Sequence, residues 1–586
     1  VARPPWRGLF FTVFAISFLV YLRTLAPGLD FGDGPELATA AWVLGVPHPT
    51  GYPLYMLLLH LGMLLPLGEP IVRAGLFSAV CAASAAGLAA IIIYDILRGL
   101  FPQWPGKPVA VGAACAGLMT AFLKLFWDNA VVTEVYALHI LITLGFVRAL
   151  QLFDRDRSPR HFLLAALCFG LGIAHHRLSS ALFLPLVIMA FVGWRTWGTR
   201  QSLRTCAWAA LLVIIGLSFY LYIPIRAAAH PPINWGDCTT WDNFWRHISG
   251  ADYLRQRFMR LAPGAPILLG MWFRHEFLIL WQLVGDVAAQ AFPSQLDEYL
   301  VLETRRYFRP TELTFLTGSA VLLFAAIGLW RWGVARRLTA GLALLIALQN
   351  FSVVLLYNIA DISDYTLYMF WCVYVCAFLG LVWFITRVLY PRLRPWVLPR
   401  PEYSYALAVI PLAVCIWNFE LCDKSGDNTA EELSYLVLPL SQNLIPEGAM
   451  LLTYGDYDTF GSWYRQLVRR ERTDVFVFGA NFISSPWYAS FFSKQALEEH
   501  RIRFYDHIMR SAEEFAEALD EGILKYNVGR YRVFTSLADL KVLQILGERY
   551  EFKERGVKFI RPRDDLGLQV LHLWEIRPKP GSEEKR

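Results

Sequence analysis

The sequence predicts a polytopic α-helical membrane protein that ends in an extracytoplasmic α/β domain. Three observations predict it. Hydrophobic residues make up 56% of the 586 residues and charged residues 17%, against about a quarter charged in a soluble chain. Mean hydropathy is +0.40, so too little charge is available to cover the surface and much of it must face lipid. Apolar runs of membrane-spanning length recur up to residue 419. After residue 418 charged residues become frequent and short apolar runs alternate with helix-period segments. The expected division is a membrane module over 1–419 and an α/β domain over 420–586. The net charge of +6 is small and excludes a nucleic-acid surface; membrane lipids are the expected surroundings.

Apolar runs lie at 9–27, 74–97, 108–126, 135–153, 206–224, 313–332, 339–357, 367–389 and 403–419. The run 162–194 is interrupted by His175, His176 and Arg177 and flanked by arginines on both sides. It reads as two short helices that meet at a recessed turn, which brings the total to about eleven spans. No small-residue cleavage site follows the first run, so it reads as an uncleaved span. With Arg3 and Arg7 inside, the positive-inside rule puts 28–73, 226–311 and everything after 418 outside. That layout suits a bacterial inner membrane, with the N-terminus cytoplasmic and the C-terminal domain periplasmic. It requires the Pro-bounded segment 55–67 to lie in the interface rather than cross. The apolar segment 267–289 carries Arg274, His275, Glu276 and Asp286 and reads as interfacial too. No internal repeat is visible, which weighs against a transporter built from inverted halves.

In the C-terminal part, strand-like runs at 450–454, 474–479, 531–535 and 569–574 alternate with helix-like runs at 429–443, 460–470, 486–501, 512–526 and 538–550. The alternation predicts a largely parallel sheet. Asp458 reads as a cap for the helix after the first strand. No glycine-rich phosphate loop follows a strand, so no nucleotide site is expected. The tail 578–586 reads as disordered. Seven of the nine cysteines fall in apolar runs; Cys238 and Cys422 lie in predicted loops and are free to pair in an oxidising space.

Four polar constellations fall on the predicted outer side: Asp33, Glu36 and His48; Asp128, Glu134, Tyr136 and His139, with Trp127; His175, His176 and Arg177; and Arg226 with Asn234, Trp235 and Asp237. Each alone has an ordinary structural explanation. Asp33 and Glu36 suit a helix N-terminus, Trp127 and Tyr136 an interface belt, and Arg226 a lipid headgroup. Four on one side, one of them recessed in the membrane, point to a site. The chemistry that fits is group transfer from a lipid-linked anionic donor. A carboxylate, Asp33 or Glu36, takes the acceptor proton. Cationic groups among His175, His176, Arg177 and Arg226 stabilise the leaving phosphate.

The segments LGVPHPTGYPLY, FWDNAVVTEVYALH, GLGIAHHRLS and PIRAAAHPPINWGD, with the Asp33–Glu36 tetrad, resemble one branch of the GT-C glycosyltransferase superfamily. That branch is polytopic, was long catalogued as a domain of unknown function, and includes animal protein O-mannosyltransferases that act on receptor ectodomains. The resemblance implies a polyprenyl-phosphate sugar donor, inversion at the anomeric carbon, and an acid of the first outer loop as base, Asp33 before Glu36. It implies mannose as the sugar and a protein hydroxyl as acceptor, with a glycan or lipid acceptor as the bacterial variants. Glu134 matches a further acid that orients the acceptor or binds a metal; a divalent cation serves some GT-C enzymes and not others. The rival reading is a transporter or flippase of a lipid-linked glycan.

Overall fold

The computed structural model describes residues 5–253, 298–302, 305–309, 312–356, 362–393, 401–507, 509, 511–560 and 569–579. The expectations for 267–289 and for residues 580–586 of the tail lie outside them. Among the described residues, eight helices are long and apolar enough to cross a membrane. Together with the fold match reported below, this makes the chain an integral membrane protein.

The chain divides into two compact units. One comprises Val1–Leu25, Leu76–Phe219 and Asp252–Asp423. Its described residues are helical, apart from an antiparallel hairpin of β1 (Glu298–Leu302) and β2 (Arg305–Arg309). Helix α1 (Trp6–Thr24) is the first apolar run. Tyr21 donates to the Ala121 carbonyl at 2.8 Å, and Trp127 Nε1 donates to Thr24 at 2.8 Å. Trp127 is fully buried, so it is a core residue rather than the expected interface anchor. Its ring packs against Tyr21, Phe122 and Phe419. Asp128 pairs with Lys124 at 2.6 Å.

The 162–194 run forms α8 (Pro159–His175), a 3-10 turn over Arg177–Leu182, and α9 (Phe183–Trp197). The turn and α9 together make a 21-residue apolar segment, about 30 Å long at 1.5 Å per residue. That length crosses a hydrocarbon core unaided, so helix length does not force the recess expected at the turn. Elsewhere the helices Glu312–Ala335 and Leu367–Phe384 cross at Gly328 and Gly380. A Cβ on Gly328 would come within 1.8 Å of the Cys376 carbonyl oxygen, and one on Gly380 within 1.9 Å of the Phe324 oxygen. Only glycine lets these backbones approach so closely.

The other unit comprises Ala26–Gly75, Tyr220–Ala251 and Lys424–Arg586. Its sheet runs in the order β4-β3-β5-β7-β6, with β3 (Met450–Thr453), β4 (Phe476–Gly479), β5 (Val533–Thr535), β6 (Tyr550–Ile560) and β7 (Gln569–Pro578). Strands β3, β4 and β5 are parallel, as expected, but β7 and β6 complete the sheet antiparallel. Strand β6 carries Glu551, Lys553, Glu554 and Arg555, and such charges on an edge strand mask its β character while blocking edge pairing. Leu433, Leu451, Val477 and Phe534 pack in its core. Arg469 clasps two carboxylates, Glu69 at 2.9 Å and Glu431 at 3.0 Å, and Glu431 also accepts from the Leu29 amide at 3.2 Å. The two ends of the 29–69 stretch are thereby tied to the helix Thr429–Val437. Cys238 and Cys422 are buried and form no disulfide.

Candidate functional site

Within the second unit, helix α2 (Gly34–Val43) starts at the Asp33-Gly34-Pro35 step, where a proline suits the first turn. Asp33 occupies the N-cap position, yet its side chain makes no capping bond. Glu36 points away from the helix end. It is completely buried and accepts from the His48 amide at 2.8 Å; His48 Nδ1 lies 2.5 Å from its other oxygen. The other ring nitrogen, Nε2, is 3.0 Å from the Tyr52 hydroxyl and 3.5 Å from Asp33 Oδ2. The bland capping role of both acids is therefore not what their side chains do.

The loop between α2 and α3 (Pro53–Met63) sets this geometry. Gly51 N–H closes a turn on the His48 carbonyl at 2.9 Å, and Gly51 and Tyr52 both take positive φ. At 11 residues, α3 is about 16 Å long, half of what a span needs. Val46 bridges to Asn234 in parallel, with Trp235 N–H donating to the Val46 carbonyl at 3.0 Å. The Trp235 ring meets His48 edge-on at 6.2 Å and stacks on Trp487 at 4.7 Å. Asn234 is buried. Its amide donates to Asp237 at 3.3 Å, and the Asp237 carbonyl accepts from Asn243 at 2.9 Å, so this pair shapes the turn. Arg226 Nε donates to the Leu44 carbonyl at 2.6 Å, where a cation satisfies the open end of α2.

Two carboxylates and one imidazole share this pocket. Burial alone would lower the His48 pKa, but Glu36 first, then Asp33 and Asp456, outweigh it and hold the imidazolium up to about 10. Asp33 is raised above the usual carboxylate range, chiefly because protein surrounds it; His48 opposes the shift and Glu36 adds to it. Its side chain nevertheless keeps 39% exposure, so it is open at the mouth. The ligand atoms of Asp33, Glu36 and His48 lie within 4.8 Å of one another, near enough to converge on an ion. Both His48 ring nitrogens are already engaged, however, and its positive charge neutralises the acids as a cation would. The set does not fit a divalent ion while His48 holds its proton.

Within the first unit, a second cluster gathers Glu134, Tyr136, His139, His175 and His176. His175 Nε2 is 2.9 Å from the Val135 carbonyl. The His176 ring lies 5.5 Å from Tyr136, 5.4 Å from His139 and 5.7 Å from Tyr365, and its Nδ1 accepts from Leu178 N–H at 3.2 Å. His139 Nδ1 is 3.4 Å from Ser179 Oγ. Glu134 accepts from the Val135 amide at 3.3 Å. Arg177 is exposed. The four sequence constellations thus fold as two groups: Asp33, Glu36, His48, Asn234, Trp235 and Asp237 in one unit, and Tyr136, His139, His175 and His176 in the other, where Glu134 and the exposed Arg177 also lie. Sequence reasoning singled out neither Tyr365 nor His247. Tyr365 has no sequence signal that links it to the motifs. His247 sits in the pattern WDNFWRHIS, where the aromatic spacing marks the face opposite to it.

The model of the protein O-mannosyl-transferase TMEM260 N-terminal domain matches residues 33–223, and that of TMEM260-associated domain 2 matches residues 437–528. These two segments resemble TMEM260 proteins, and the helix-rich fold is GT-C-like. The protein O-mannosyl-transferase TMEM260 of Mus musculus is 24% identical over 503 residues, covering 83% of this chain and 65% of its own length. The chain therefore spans just under two thirds of that relative. The tmem260 protein of Dictyostelium discoideum is 24% identical over 264 residues, 41% of this chain and 30% of its own. ArnT from Cupriavidus metallidurans, solved with bound undecaprenyl phosphate, superposes with a TM-score of 0.52 at 13% identity, covering 97% of this chain and 98% of that one. The N-terminal TMEM260 match opens on Asp33 and takes in Glu36, His48, Glu134, Tyr136, His175, His176 and Arg177. Arg226 and the 234–237 turn lie beyond it.

Proposed function

We propose that the chain is an inverting glycosyltransferase that moves a sugar, mannose by its TMEM260 likeness, from a polyprenyl phosphate to an acceptor hydroxyl on the outer face of the membrane. The observation that carries this reading is the unequal treatment of two neighbouring acids. Glu36 is sealed and bonded to His48, whereas Asp33 faces the mouth of the pocket and has no capping duty. Asp33 is the base. Its carboxylate takes the acceptor O–H proton while the oxygen attacks the anomeric carbon. The bond from that carbon to the phosphate oxygen breaks, its electrons pass to the phosphate, and polyprenyl phosphate leaves. The raised pKa strengthens Asp33 as a base, and the His48 imidazolium limits that rise. Glu36 positions His48. Trp235 flanks the same pocket and suits a sugar face. A protein hydroxyl is the acceptor that the TMEM260 relatives' name supports, and a periplasmic face of a bacterial inner membrane suits the arginine distribution.

The test is release of polyprenyl phosphate, read by mass spectrometry, from nanodiscs that hold the chain, a panel of polyprenyl-phosphate sugars and a serine- and threonine-rich peptide. Release with one sugar, together with a glycosylated peptide, is expected. Transfer from a nucleotide sugar but from no lipid-linked one contradicts the reading, and translocation of intact donor without release favours the transporter.

A further inference from the structure

Helix α12 (Trp241–Ser249) has two unlike faces. Its start is capped by Thr240, whose hydroxyl accepts from the Asn243 amide at 3.2 Å, and Gly250 ends it in the left-handed region. Trp241, Phe244 and Trp245 follow the i, i+3, i+4 spacing that shares one helix face. Trp241 is 68% exposed and Trp245 50% exposed. The three rings pack on each other, with Trp241 5.5 Å from Phe244 and 5.4 Å from Trp245. His247, two residues past Trp245 and so about 200° around the helix, is 2% exposed. Neither of its ring nitrogens has a hydrogen-bond partner. The ring fills the space beneath two glycines: a Cβ on Gly51 would sit 3.0 Å from its Nε2, and one on Gly236 2.9 Å from its Nδ1. One face of α12 therefore packs under the loops that carry His48 and Trp235, and the other carries the aromatic rings, with Trp241 and Trp245 exposed and Phe244 half-buried beside them.

We propose that α12 is a lipid anchor, with Trp241, Phe244 and Trp245 seated in the headgroup–acyl boundary of the bilayer. Three points select lipid as the occupant. The residue types are those of the interfacial belt. The helix comes 12 residues after the apolar segment Thr199–Ala228, whose last turns expose Leu221 and Ile225, so an exposed apolar stretch precedes it closely in the chain. The patch is also too small for a protein partner. Three aromatic side chains offer about 450–750 Å² at most, below the roughly 800 Å² per side of a stable protein interface. The Asp242 and Arg246 side chains flank the rings and are exposed, which suits a helix that lies along a charged headgroup layer. Seated in this way, α12 sets the distance between the membrane surface and the Asp33–Glu36–His48 pocket through His247.

The test needs no activity. p-Benzoylphenylalanine is incorporated in the full chain in place of Trp241, of Trp245 or, as a control, of Leu540, an 81% exposed residue of the C-terminal part. Each protein is irradiated in phosphatidylcholine nanodiscs, and adducts are identified by mass spectrometry. A phospholipid adduct at 241 and 245, at least about tenfold above that at 540, is expected. A crosslink to a second copy of the chain, or equal lipid labelling at all three positions, overturns the proposal. Retention of the monodisperse nanodisc peak shows that each substituted chain is folded.

Discussion

Glu36 and Asp33 are three residues apart and meet opposite fates, and this difference is chemical rather than positional. Both lie at the start of α2, where either would serve a helix end. Glu36 instead spends its two oxygens on the His48 amide and ring. The His48 pKa of about 10 in the folded chain stands above the ordinary 6.5 of an unfolded chain, so the stabilisation it brings is complete below pH 6.5 and is lost as pH rises through 10. Glu36, Asp33, Asp456 and Tyr52 face this imidazole. The apparent Tm of the chain in detergent is therefore expected to fall between pH 6.5 and 10, and His48→Gln is expected to flatten that slope; an unchanged slope in the variant contradicts the assignment. The triad also makes an ion dispensable, so chelation is expected to leave turnover within about twofold. At this scale the sequence was readable in part. The proximity of Asp33, Glu36 and His48 follows from a tight Pro- and Gly-rich loop. The division of labour between the acids does not, because it depends on which carboxyl the His48 ring turns toward. Arg226 shows the converse: a lone arginine beside a span looks like a phosphate ligand until its Nε is seen on the Leu44 carbonyl.

At the scale of elements, two arginine networks hold the second unit together. Glu575 on β7 is buried and accepts from Arg532, Arg555 and Arg577. Burial would raise its pKa, but these arginines outweigh it and hold it below the usual value. Its contribution is present above pH 4.5 and lost as pH falls through the lowered value. Glu575→Gln is expected to cost about 1–3 kcal/mol, discounted because the arginines are partly exposed, with the deficit read by thermal unfolding at pH 7 and narrowing toward pH 4. The Arg469 clasp on Glu69 and Glu431 acts on a different element, the 29–69 stretch that carries the acid pocket. Arg469→Ala is expected to raise amide exchange at Leu29 and across that stretch, measured by hydrogen–deuterium exchange, while the sheet stays protected. Uniform exchange changes in both would contradict a local clasp. The membrane-spanning runs and three parallel strands were legible because composition and period announce them. Strand β6 was not, since its charged edge face erases the alternation that marks a strand. Trp127 looked like an interface residue because the sequence does not show the Thr24 hydroxyl waiting for its indole N–H.

At the scale of the whole molecule, the chain joins a bundle of apolar helices to a unit assembled from three stretches distant in sequence. Hydropathy announces the first. The second depends on long-range pairings such as Val46 with Asn234 and Leu29 with Glu431, which no local pattern reveals. The TMEM260-like sequence and the GT-C-like fold frame the proposed chemistry, in which Asp33 is the proposed base. The most direct test is the rate of sugar transfer from a polyprenyl-phosphate donor in nanodiscs for the Asp33→Asn and Glu36→Gln variants beside the parent. A general base contributes about 10²–10⁴-fold. Asp33→Asn is expected to lose at least about 100-fold in kcat with the KM for the lipid donor little changed, and Glu36→Gln to lose less and to shift the pH profile through His48. An Asp33→Asn variant that transfers sugar within a few-fold of the parent would contradict the account.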